Sequence, residues 1–190
     1  MSDSVSIAWH RLDRPGHEIA RLERTADGWL LSGIVEVVDG GHDCHLKYSI
    51  ACNADWQTRR LTVSGDVHGA SFTREVARLD DGAWHVDQSA RPDLRDCVDV
   101  DLAFTPFTNT LPIRRLKLAI GHRADVSAAW LRFPSLEVER LEQSYTRTAE
   151  RTFLYESRAG AFQRTLTVDA NGLVTDYPDL WRARSRENHG

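Results

Sequence analysis

The chain has 190 residues, of which 41% are hydrophobic and 27% charged, with a formal net charge of −4. A domain of this length buries about 70% of its unfolded surface without staples, and this mix excludes both a disordered chain and a run of ~20 apolar residues crossing a membrane as a helix. The acidic balance speaks against a nucleic-acid partner, which needs a concentrated basic face.

From its start the chain reads as strand after strand. Met1 to Ile7 lacks the basic-then-apolar pattern of an export signal, so a cytoplasmic protein is expected. His17 to Arg24 could form a helical turn through Ile19 and Leu22, but the following Asp27-Gly28 makes a hairpin arm more economical. Period-two alternation marks Leu46 to Ala51, Gln57 to Val63, Val98 to Leu102, Leu116 to Ile120, Val126 to Leu131 and Phe162 to Val168. Asp27-Gly28, Asp81-Gly82 and Asn171-Gly172 carry the signature of type I′ hairpin turns. Pro92 to Asp96 is the other segment with helical spacing. The predicted fold is therefore mainly β: a large antiparallel sheet, with few short helices, that curls into an open or unclosed barrel to manage its edges.

A single domain over 1–190 accommodates this. Arg59-Arg60-Leu61-Thr62-Val63 echoes Arg164-Thr165-Leu166-Thr167-Val168, which duplication of halves 1–102 and 103–190 would produce, as would shared β composition. Cys44, Cys52 and Cys97 form an odd set, expected as reduced thiols rather than a disulfide framework.

Residues two apart share a strand face. Arg59 is thereby in register with Leu61 and Val63, Arg164 with Phe162, Leu166 and Val168, and Arg114 with Leu116, Leu118 and Ile120. Lys47 and Lys117 are the only lysines among 24 basic residues, leaving 22 arginines, so base composition explains much of the arginine content. An arginine facing an apolar row nevertheless needs a carboxylate, a carbonyl, water or a ligand anion, or must lie at a rim with its stem over apolar surface. Asp99 and Asp101 share one strand face at a spacing of about 6.5–7 Å and are candidate partners. The stretch Thr105 to Pro112 reads as a rigid polar connection, with Asn109 either meeting a ligand or bonding backbone to cap the barrel end. Of six tryptophans, Trp9 and Trp56 sit near polar positions and are candidates to line a cavity; the others are expected in the core.

Catalytic signatures are missing: there is no nucleophile elbow, P-loop, dinucleotide fingerprint or zinc helix. His42, Cys44 and His45 lack a distant fourth ligand, so neither metal nor cofactor is expected. Asp99 or Asp101 could serve as a general base on a sugar or lipid-linked substrate, but hydrolysis would require a second acid elsewhere, such as Glu137 or Asp176.

Four motifs carry a resemblance: Asp99-Val100-Asp101-Leu102, the run Thr105 to Leu116, Gln143-x-Tyr145, and Gly172-Leu173-Val174-x-Asp176-Tyr177-Pro178-x-Leu180-Trp181. With these the chain resembles the bacterial family called "putative glycolipid-binding" over nearly its whole length, Trp9 to Arg182. The resemblance implies an unclosed β-barrel like that of periplasmic lipoprotein carriers, a lipid or glycolipid partner in its concave face, and no catalytic residue set. Unlike those carriers this sequence shows no export signal, which sets it apart from their trafficking role. The expected function is non-catalytic glycolipid or lipid binding, with Arg59, Asp99, Asp101, Asn109, Arg114, Arg164, Trp9 and Trp56 as candidate ligand-binding residues. An enzyme acting on a sugar or lipid-linked substrate, and a structural or assembly domain with a polar network fixing the fold, are the alternatives.

Overall fold

The chain's computed structural model describes residues 4–184; Met1 to Asp3, part of the segment read above for an export signal, lie outside it. The N-terminal half contributes β1 (Ser4–Arg11), β2 (Gly16–Arg24), β3 (Gly28–Asp39), β4 (His42–Asn53), β5 (Thr58–Val67), β6 (Ala70–Arg78), β7 (Trp84–Val86) and β8 (Ser89–Ala90). The C-terminal half contributes β9 (Asp99–Leu102), β10 (Arg123–Leu131), β11 (Val138–Ala149), β12 (Thr152–Ser157), β13 (Phe162–Val168), β14 (Val174–Tyr177) and β15 (Trp181–Ala183). All fifteen form one mixed sheet in the order β8-β7-β6-β5-β4-β3-β2-β1-β15-β14-β13-β12-β11-β10-β9, antiparallel except for β9 on β10.

The sheet is not closed by a ladder, but it curls until its ends meet. Thr58 at the start of β5 donates its amide to Val98 O just before β9, and its hydroxyl accepts the amide of Val100 (3.2 Å). Arg74 and Arg91 reach across to the carbonyls of Leu136 and Val138. Where the two halves join side by side, β1 pairs with β15 over three residue pairs only, Trp9 to Arg11 against Ala183 to Trp181.

The predicted hairpins at Asp27-Gly28, Asp81-Gly82 and Asn171-Gly172 each link antiparallel neighbours, but none is a type I′ turn: the first closes Ala26-Asp27 by a bond from the Thr25 amide to Gly28 O with neither residue at positive φ, and the other two have longer loops. Positive φ in the last two falls on Gly82 and Gly172 alone. Asp81 and Asp169 hold these loops instead by accepting amides two to four residues on, so no left-handed Asp or Asn is needed.

Two expectations fail at the connection from β9 to β10. Leu116 to Ile120 is not a strand, and Thr105 to Pro112 is not a cap at the barrel end. A 3-10 turn (Phe107–Asn109) runs straight into the helix α1 (Thr110–Leu116), and this plug fills the concave interior. Pro112 sits in the first helical turn, where a missing N–H costs nothing. Phe104, Phe107 and Leu111 are fully buried against Trp9, Tyr48 and the inner rows of the sheet, so the interior is a packed core and not an acyl cavity. Cys44, Cys52 and Cys97 are all buried free thiols.

Candidate functional site

The plug is held from both halves of the sheet by polar contacts in dry surroundings. From β2, the fully buried Glu18 accepts hydrogen bonds at Oε1 from Tyr48 on β4 and from Thr105 (2.8 Å), while its Oε2 has no partner. Tyr48 reaches this point because its ring lies flat over Gly33, where a Cβ would stand 2.6 Å from the ring atoms. Burial pushes the Glu18 carboxyl up to about 8, against the pull of its two hydrogen bonds. On the other side, Asp99 takes a two-pronged ion pair from Arg115 (3.1 and 2.6 Å), and Asn109 Oδ1 accepts from Tyr145 (2.9 Å). Asp101 accepts from Thr108 (2.9 Å) and Gln143 (2.5 Å), and Gln143 also donates to Tyr155 (3.0 Å). Burial raises the carboxyls of Asp99 and Asp101 above the usual range, Asp99 despite Arg115 and Asp101 with only neutral donors.

Beside this network a cleft of about 250 Å³ opens between the plug and the strands β10 to β15. Trp130, Tyr155, Phe162, Tyr177 and Trp181 give it aromatic walls, and Asp101, Thr105 and Asn109 bring polar groups from the plug and its root. Arg11 lines it from β1. Its side chain is only 8% exposed; Nε and Nη2 bond Asp13, the guanidinium lies over Trp181, and the buried Nη1 has no partner. At the rim, the exposed Arg158 lies over Trp130 (5.4 Å). The cleft thus combines ring faces, one carboxylate without a cation, and one guanidinium nitrogen lacking an acceptor.

The candidate residues read from sequence divide among different places. Asp101 and Asn109 line the aromatic cleft, although Asn109 also bonds the backbone of Pro106. Asp99 lies behind them, consumed by Arg115. Trp9 is core: it is fully buried, donating its indole N–H to Val174 O (2.6 Å). Arg59 does not share the face of Leu61 and Val63. A bulge opposite Ala51 and Cys52 leaves Arg59 unpaired and turns Thr58 inward in its place, so Arg59 points out to the exposed Asp80. Arg164 keeps its predicted parity but lies at the rim, its guanidinium over Phe162 and paired with Asp179. Arg114 belongs to α1 rather than to a strand row, and it meets Trp56 (4.9 Å) in a second, separate cleft. Glu18 and Arg11 escaped the sequence reading. Their signal was strand parity, since Glu18 falls in register with Ala20 and Leu22, and Arg11 with Trp9.

Residues 6–183 match the sequence profile of a family described as "putative glycolipid-binding". Among solved structures, a DUF1089 family protein from Pseudomonas aeruginosa is similar with a TM-score of 0.79 and 33% identity, over 88% of this chain and 91% of that one. Comparison with curated proteins finds no match.

Proposed function

Because the chain belongs to the family described as "putative glycolipid-binding", we propose that it binds a glycolipid by its sugar head, in the aromatic cleft beside the plug. The observation that carries this reading is the juxtaposition of ring faces with Asp101 and the unpartnered Nη1 of Arg11. Sugar rings present C–H faces that stack on aromatic side chains and hydroxyls that need both an acceptor and a donor. At about 250 Å³ the cleft is smaller than the ~300–1,000 Å³ that encloses a whole drug-sized ligand, which suits a single ring better than a complete lipid. With the interior filled by Phe104, Phe107 and Leu111, the lipid chain leaves through the mouth past Phe162 and Leu180. Asp101 is the one carboxylate of the lining, and glycoside hydrolysis needs two acids flanking the bond, so the site favours binding over cleavage.

Titration with octyl glucoside and octyl maltoside below their micelle thresholds, followed by tryptophan fluorescence, tests the proposal, with octanol as the headless control. Saturable binding should weaken about tenfold in Asp101→Asn, the loss expected for one charge-assisted hydrogen bond, and further in Trp130→Ala. Equal binding of octanol and the glycosides, or glycoside binding indifferent to both substitutions, would overturn it.

A further inference from the structure

The second cleft, about 760 Å³, lies at the opposite end of the plug, between the last turn of α1, the loop before β5 and the β11–β12 turn. It is lined by five cationic side chains and three carboxylates, on a chain whose overall charge is −4. Two of the cations are spoken for: Arg115 by Asp99, and Arg147 by the carbonyls of Leu118, Ala149 and Glu150. Among the described residues, the other three, Arg114, Lys117 and Arg151, have no carboxylate within ion-pair distance.

Arg114 is also fixed in place. Its stem packs on Gly172, where a Cβ would stand 3.0 Å from Cδ, and its guanidinium lies over Trp56, itself stacked on Trp29 with ring centroids 4.4 Å apart. Trp56 holds a φ of +66°, a conformation a bulky residue rarely adopts. A strained tryptophan thus supports an arginine that, among the described residues, has no carboxylate within ion-pair distance. A planar guanidinium held by stacking keeps its N–H edge free for a two-pronged acceptor, and two lysine- or arginine-borne charges beside it suit a group carrying more than one negative oxygen. We infer that this cleft is a binding site for a phosphoryl group, carried either by a lipid head or by a small soluble phosphate, and that it is independent of the sugar cleft.

Isothermal titration of the full chain with inorganic pyrophosphate at low salt tests the soluble source. Co-sedimentation with phosphatidylglycerol vesicles, against phosphatidylcholine vesicles, tests the lipid source. Arg114→Gln should weaken whichever binding is observed by about tenfold, Arg114→Lys should restore part of it, and Asp101→Asn should leave it unchanged. Should Arg114→Gln fail to fold, the double variant of the exposed Lys117→Gln and Arg151→Gln decides, with a loss of similar size expected. Binding of neither probe, or affinities that these substitutions leave unaltered, overturns the inference. Failure of the glycoside titration has no bearing on it, because Arg114 and Asp101 line different clefts.

Discussion

At the scale of single residues, Glu18 couples the fold to pH. Its carboxyl is raised by burial to about 8 when folded, against an ordinary value of 4.5. Between those values the unfolded chain ionises Glu18 while the folded protein keeps it neutral. Its contribution to stability is therefore fully present below pH 4.5, declines at up to about 1.4 kcal/mol per pH unit, and is lost as pH rises through 8. Glu18→Gln cannot titrate, so its urea-unfolding free energy should gain on that of the parent by a few kcal/mol, to order of magnitude, between pH 5 and pH 9. Parallel pH profiles for the two proteins would show that Glu18 is ionised in the folded state. Asp99 and Asp101 are shifted in the same direction by burial, but both proteins carry them, so their effect cancels from the comparison.

At the scale of elements, the plug decides what the concave face can hold. Phe107 touches Trp9 and Tyr48, whose rings come from opposite sides of β2 and β3 in the sheet order. Phe107→Ala should cost about 3–5 kcal/mol in chemical denaturation, as for other fully buried aromatics. The variant also opens a cavity, so enhanced binding of a small apolar probe such as benzene is expected with it. The strands were legible in the sequence wherever alternation was clean, as in Phe162 to Val168 and Val126 to Leu131. The plug was not. Thr108, Asn109 and Thr110 look like a surface turn, two prolines hide a seven-residue helix, and nothing local reveals that Thr108 and Asn109 find buried partners in Asp101 and Tyr145. Arg59 shows the companion failure: one extra residue at a bulge reverses every parity argument before it. Asp101 and Asn109 lie in the aromatic cleft and Arg114 with Trp56 in the basic one, but sequence could not separate the two sites because their distance is set by the plug.

At the scale of the whole molecule, two half-sheets are bridged by a short ladder on one side and by one backbone bond and a few side chains on the other. Hydrogen exchange should accordingly be faster for the amides of Thr58 and Val100, where the curled ends meet, than for the β3–β4 ladder, which runs twelve residue pairs without a break. Uniform protection across both regions would mean that the ends are held as firmly as a continuous barrel.

The three-pair ladder between β1 and β15 bears on how the chain reaches this state. Trp9 bonds a carbonyl 165 positions away, and the first strand finds its second neighbour only when Trp181 to Ala183 arrive. Such distant pairings make folding slow, on the order of milliseconds to seconds. During synthesis the leading half must wait with one flank of β1 and its inner apolar face bare until the trailing half is complete, and a chain stopped short of Trp181 should be retained by chaperones rather than folded.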